Sequence, residues 1–289
     1  MKSDKIKAII ILERPQFGIL SILCVLSGIF LANRGEIVAI DYLMALKLSL
    51  LFWFGMCAAH PINDYFDKET DKSLRQDAPL AAGSLSPNEV KYVAIIHYAI
   101  MIILIAVIPP NWAVRVFAIL GLIVTYTYSA PPFRMVGRSI LSPLTIAAGL
   151  IFSLAGGWAS VREFEYDPAL GILSLMIIFA SVIAKNIADI ADVEDDIHSE
   201  RLTLPMQIGV DRTFNLSVLL VPFEFIMIST LYFIGDLNIF YLIIVSIAVI
   251  ITIFAMISFG RDFSEGRKYS YMLLLPVIIF LISTVVGSI

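Results

Sequence analysis

The chain has 289 residues, of which 59% are hydrophobic and only 15% charged, with a net charge of −4 and a mean hydropathy of +0.90. A water-soluble domain keeps about a quarter of its residues charged, so this composition excludes a soluble globule and makes the bilayer the solvent. The net charge names no partner, because the charges fall in loops, and nothing in the pattern points to nucleic acid.

The N-terminus mixes Lys2, Asp4, Lys5, Lys7, Glu13 and Arg14 ahead of its first apolar run, without an obvious small-residue cleavage site. It reads as the approach to a first span and not as a removed signal. Crossing a hydrocarbon core takes about 20 helical residues, and in lipid each segment must satisfy its own backbone. This template predicts nine spans, at roughly 16–33, 42–62, 91–109, 112–129, 140–160, 169–188, 213–234, 237–258 and 270–288. Cys24 and Cys57 lie inside apolar runs and read as small hydrophobes, without metal or disulfide spacing.

With the N-terminus placed in the cytoplasm, all of the 20 Lys and Arg residues except Arg34, Lys47, Arg115 and Arg162 fall on the cytoplasmic side. That bias fixes the expected orientation. The long polar stretches 63–90 and 189–212 share this side and follow the second and sixth spans. The chain therefore reads as one domain over 1–289 with repeat-like halves, about 42–129 and 169–258.

Each of these stretches opens on acids. In the first, Asn63, Asp67 and Asp71 are spaced by four and would line one helical stripe, with Asp64 about 100° away. In the second, Asp189, Asp192 and Asp196 share a face. Like charges stacked at the end of an apolar span repel one another, so a cation is expected among them. Hard oxygen ligands in this number suit Mg²⁺, which takes a few carboxylates together with substrate phosphates. Two facing clusters would hold a diphosphate through metal ions and offset the charge of its departure. An allylic diphosphate would then leave a delocalised cation for a nucleophile to capture, inside an interior that excludes water. A solvated acidic loop balanced by Lys68, Lys72 and Arg201 is the plainer reading of either cluster alone. Carboxylate repulsion further predicts that losing Asp67 or Asp192 costs little folding stability.

The motif Asn63-Asp64-x-x-Asp67-x-x-x-Asp71, together with Asp192-x-x-x-Asp196 ahead of Thr203-Leu204-Pro205, resembles the UbiA superfamily of membrane prenyltransferases. Arg14-Pro15 and Tyr128-Ser129-Ala130-Pro131-Pro132-Phe133-Arg134 extend the resemblance over most of the chain. It implies an all-α membrane protein with nine helices around a central cavity and a cytoplasmic cap. It implies Asn63, Asp67, Asp71, Asp189, Asp192 and Asp196 as metal ligands, with Asp67, Asp71, Asp192 and Asp196 as the catalytic acids. Tyr128, Arg134, Lys185 and Arg201 would approach the isoprenyl diphosphate, and Asp64 would orient a basic residue. Departures from the family pattern lie at Asp77-Ala78-Pro79, which lacks the usual arginine and serine, and at Asp195 and Leu202, where a glycine and a lysine are common.

The acceptor expected from the motif variants is a lipid such as geranylgeranylglyceryl phosphate; an aromatic acceptor in quinone biosynthesis is the alternative. A secondary transporter or cation channel is the rival from another class, since repeats and intramembrane acids occur there too. His60 reads either as a ligand-orienting base or as a satisfied helix-end histidine. Lys185 reads as a phosphate contact or an ion pair with Asp189, and Asn186 as a site residue or a helix–helix hydrogen bond. Arg138 reads as a phosphate contact or a topological anchor.

Overall fold

The computed structural model describes residues 2–34, 36, 40–68, 78–197, 201–260, 262–263 and 266–289. These residues are nearly all helical, with a single isolated β-bridge between Arg138 and Leu202. The helices are α1 (Lys2–Glu13), α2 (Ile19–Asn33), α3 (Tyr42–Phe66), α4 (Pro87–Val107), α5 (Trp112–Ser129), α6 (Leu141–Ala159), α7 (Pro168–Ala191), α8 (Val193–Asp196), α9 (Leu204–Ile208), α10 (Val210–Ile234), α11 (Ile239–Phe259) and α12 (Gly266–Gly287). Among the described residues, eight helices are long and apolar enough to cross a membrane, α1 and α2 counting together as Asp4–Asn33. The ninth expected span falls on α12, whose apolar part, Tyr271–Gly287, is shorter than the rest.

The entry into α2 is a sharp corner. Arg14 takes a left-handed conformation at φ 45°, and a 3₁₀ turn follows over Pro15–Gly18. The Trp53 indole N–H donates to the Pro15 carbonyl at 3.1 Å. A Cβ on Gly18 would lie 2.3 Å from the same ring, so only glycine fits there.

The helices that enter from the end remote from the acidic motifs all begin at a side-chain cap. Asp41, Asn111, Asp167 and Asn238 each accept a backbone N–H in the first turn of α3, α5, α7 and α11. Four N–H groups at a helix start lack intrahelical partners, and each cap satisfies one of them.

Neighbouring helices pack in the cyclic order α2, α3, α4, α5, α6, α7, α10, α11, α12 and back to α2. Further contacts cross this ring, the most extensive between α2 and α6, with others between α7 and α12 and between α3 and α5. The α2–α6 contact is a backbone approach through small residues: a Cβ on Gly28 would sit 2.1 Å from the Leu154 carbonyl oxygen, and one on Gly157 equally close to that of Val25. Small residues at helix crossings let backbones meet where lipid supplies no hydrophobic force between helices. Gly28 and Gly157 lie in the half of the bundle away from the acids, so the crossing closes that half and leaves the acidic end to be capped by loops.

Candidate functional site

Asn63 and Asp64 sit in the last turn of α3, which runs past the predicted end at 62, through Pro61, to Phe66. Asp67 is the C-cap at φ −94°, ψ 12°. Of the single stripe expected through residue 71, Asn63 lies on α3 and Asp67 just past its end, while Asp71 lies outside the described residues. The second motif departs in the same way. Helix α7 ends at Ala191, Asp192 caps it at φ −100°, ψ 7°, and Val193–Asp196 form a separate turn.

The physical reason is common to both motifs. The carboxyl end of a helix carries about half a negative charge from its unpaired carbonyls. A further row of carboxylates continuing that helix would stack charge upon charge, so the chain breaks and turns the acids toward cations.

Those cations come from two loops. Asp67, 1% exposed, accepts from Arg134 at 2.9 Å on one oxygen and from Arg201 at 2.9 Å on the other. Arg134 is itself at φ 42°, where the chain turns out of α5. The Arg201 loop is clamped to the segment after Arg134 by Leu202 N–H to the Gly137 carbonyl at 2.8 Å and Ser139 N–H to the Leu202 carbonyl at 2.9 Å. Gly137 is required in this clamp, because a Cβ there would lie 2.9 Å from the Arg201 side chain.

Arg201 also faces the second motif, with its other terminal nitrogen 3.6 Å from an Asp196 oxygen. One guanidinium thus spans from Asp67 to Asp196, and the two acidic motifs face each other across its width. Asp189 is buried and pairs with Lys185 one turn earlier on α7. Burial pushes the Asp196 carboxyl up to about 6; Arg201 and Lys185 oppose the shift, while Asp189 and Asp192 add to it. Tyr128, half-buried at the end of α5, lies within electrostatic reach of Lys185.

Two residues that sequence alone underrated complete the frame. The Asn63 amide nitrogen donates to Asp67 at 2.9 Å and to the Ser129 hydroxyl at 3.1 Å. With both amide protons committed, the oxygen is what Asn63 presents to a cation. Ser129 is fully buried at the end of α5; its position inside Tyr128-Ser129-Ala130-Pro131-Pro132 was the available signal. The other is Arg14, which forms an ion pair with the fully buried Asp64. This is the basic residue that Asp64 was expected to orient.

Asn186 turns away from the site and donates to the Ser217 hydroxyl on α10 at 3.0 Å, the helix–helix bond of its plainer reading. His60 packs beside the Phe17 ring, with centroids 5.6 Å apart. Among the described residues no three His, Cys, Asp or Glu side chains converge as a closed metal cage. The donor set among the described residues is instead that of an open site: amide and carboxylate oxygens from two helix ends. Such a set fits Mg²⁺, which completes its octahedron with water and phosphate oxygens.

The comparisons with known proteins agree with this geometry. Over 282 residues, 95% of each chain, the sequence is 28% identical to the digeranylgeranylglyceryl phosphate synthase of Methanobrevibacter smithii. It is also 28% identical to the enzyme of that name from Pyrococcus furiosus, covering 92% of this chain and 93% of the other. A solved structure of digeranylgeranylglyceryl phosphate synthase superposes over 100% of this chain and 99% of its own, with TM-score 0.73 at 22% identity. A UbiA homologue from Archaeoglobus fulgidus bound to GPP and Mg²⁺ gives TM-score 0.67 at 18% identity, covering 96% and 99% of the two chains. Residues 21–283 match the UbiA prenyltransferase family as a whole. With its long described helices packed in a ring, two facing acidic motifs at one end and a family match over residues 21–283, the chain belongs to the UbiA prenyltransferase family.

Proposed function

We propose that this integral membrane prenyltransferase transfers a geranylgeranyl group from its allylic diphosphate to a lipid acceptor of the geranylgeranylglyceryl phosphate type, with Mg²⁺ as cofactor. The observation that carries the reading is the Arg201 guanidinium shared by Asp67 and Asp196, which joins both acidic motifs at one cation. The names of the relatives supply the acceptor class, and the GPP and Mg²⁺ bound by the Archaeoglobus homologue supply donor class and metal.

In this reading Asn63, Asp67 and Asp71 hold metal on one side, and Asp189, Asp192 and Asp196 on the other. When bound, Mg²⁺ offsets the negative charge that develops on the diphosphate as its bond to the allylic carbon breaks. Arg134 and Arg201, which here neutralise Asp67, exchange that carboxylate for diphosphate oxygens, a ligand whose geometry suits guanidinium forks. Lys185 and Tyr128 would approach the diphosphate from the ends of α7 and α5. The acceptor hydroxyl oxygen supplies the electron pair for the new bond to carbon as the carbon–oxygen bond to diphosphate breaks, and its proton passes to the released diphosphate. Burial of Asp67, Asp189 and Asp196 keeps the reacting end dry, so water does not compete for the cation.

The same reading places the N-terminus and the site at the cytoplasmic face, on the strength of the cation bias, and treats residues 42–129 and 169–258 as related halves, each contributing one acidic helix end. A transporter would hold its acids near the midplane, and these sit at helix ends beside loops. The test is direct. Purified protein with geranylgeranyl diphosphate and Mg²⁺ is offered geranylgeranylglyceryl phosphate and an aromatic acceptor in separate reactions. Lipid product from the first, lost when EDTA is added, is the expected result; product from the aromatic acceptor alone, or from neither, overturns the assignment.

A further inference from the structure

Helix α5 shows one face to lipid. Trp112, Val116, Ile119, Ile123 and Tyr126 are exposed, and at about 100° per residue all lie within about 40° of Trp112 around the helix. Gly121, nine residues on from Trp112, lies about 900° round, half a turn from that face. Its neighbours show what the inner face meets. On one flank Val124 stands 3.8 Å from where a Cβ on Gly149 of α6 would lie, and Phe117 stacks with Phe152 of α6. On the other, Ser129 accepts from Asn63 of α3 at 3.1 Å, and Thr125 bonds Tyr98 of α4 at 2.9 Å. Gly121 therefore opens into the bundle between α3 and α6. Among the described residues no atom lies within 4 Å of a Cβ built on it.

Packing does not require this glycine. No backbone crowds it as at Gly28 and Gly157, and glycine inside a helix costs about 1 kcal/mol against alanine. The space it faces lies directly below the acidic end and has a floor. On α3 the stripe beneath Asn63 is partly exposed at Ala59 and Met56, then buried at Phe52. The Phe52 ring reaches α6, where a Cβ on Gly156 would lie 2.5 Å from it. On α5 Val114, seven residues beyond Gly121, is fully buried. From Asn63 to Phe52 is 11 residues (63 to 52), about 16 Å, and from Ser129 to Gly121 is 8 (129 to 121), about 12 Å.

We propose that Gly121 determines which isoprenyl chain lengths the site accepts. The chain descends from the acidic end between α3, α5 and α6, and the absence of a bulky side chain at 121 lets its far half pass. The inference rests on the allylic diphosphate donor of the proposed function. A carbon chain advances somewhat less than one C–C bond of about 1.5 Å per carbon, so an isoprene unit spans about 5 Å. A geranyl chain, about 10 Å long, stops short of Gly121; a geranylgeranyl chain, about 20 Å long, must run past it toward Phe52.

The test is equilibrium binding of geranyl and geranylgeranyl diphosphate to detergent-solubilised full-length protein, with Mg²⁺ and without acceptor. Gly121→Leu should bind geranylgeranyl diphosphate about 10- to 100-fold more weakly, the range expected from overfilling a packed space. Geranyl diphosphate should bind as before, which also certifies the fold of the variant. Gly121→Ala, which gains the same helix preference with only a methyl group, should bind both donors much as the original does. Equal weakening of both donors by Gly121→Leu, weakening of neither, or as large a loss in Gly121→Ala would each overturn the proposal. Failure of the unaltered protein to bind either diphosphate would overturn the donor reading and this inference with it. Selective weakening together with product from an aromatic acceptor alone would uphold the role of Gly121 and overturn only the acceptor.

Discussion

A carboxylate at the end of an apolar helix changes meaning once its partners are known. Charge repulsion predicted that removing Asp67 would cost little stability, but Asp67 accepts from Asn63, Arg134 and Arg201 while almost fully buried. Asp67→Asn leaves two guanidiniums facing an amide, and without Mg²⁺ it should lower stability by on the order of 1–3 kcal/mol, measurable as a fall in unfolding temperature in EDTA. Turnover should fall by about 10²-fold or more in Asp67→Asn and in Asp192→Asn separately; near-normal rates in both would remove the metal role from these acids. Asp196 supplies a pH test. Its folded carboxyl, raised to about 6 from 3.8, holds a proton that the unfolded chain has already lost. The metal-free protein therefore loses stability as pH rises through that interval. Because a ligand must give up its proton to bind metal, Mg²⁺ should raise the unfolding temperature more at pH 7 than at pH 5. An equal shift at both would show that Asp196 does not answer to the ion.

Helices here are placed by what meets them as much as by their own sequence. Apolar length announced most of the spans to within a few residues, and Asp41, Asn111, Asp167 and Asn238 mark helix starts in a way that a capping rule can read. The crossing of α2 and α6 was not legible, because Gly28 and Gly157 lie in long apolar runs that hydropathy does not distinguish from those holding Gly121 and Gly149. Only the approach of Val25 and Leu154 backbones gives them a purpose. Gly157→Val puts a branched side chain where the Val25 carbonyl lies 2.1 Å from the first added carbon. It should sharply reduce folded yield on size-exclusion chromatography, whereas Gly121→Val, with open space around its Cβ position, should not. Similar yields for the two would mean that the crossing yields easily.

At the scale of the molecule, charge asymmetry predicts which way the bundle faces, and surface labelling can test it. Cys24 and Cys57 are both buried, so they offer a quiet background to a membrane-impermeant thiol reagent. A cysteine introduced for Lys68, beside the acidic end, should react only from the cytoplasmic side. One introduced for Tyr166, 88% exposed at the opposite end, should react only from outside. The reverse pattern would invert the topology and move the site to the other face.

Hydropathy and spacing by themselves determined the solvent, the number and length of the helices to within one span, and the acids, because a bilayer imposes a fixed length on every crossing segment and makes each stranded charge conspicuous. Tertiary structure alone decided that both acidic helices break at their caps, that Arg134 and Arg201 converge on Asp67 while Arg14 holds Asp64, and that Gly121 opens into the bundle between α3 and α6. Those outcomes depend on loops closing residues 67, 134 and 201 onto one point and on three helices meeting around residue 121, and distances along a chain carry no record of such meetings in space.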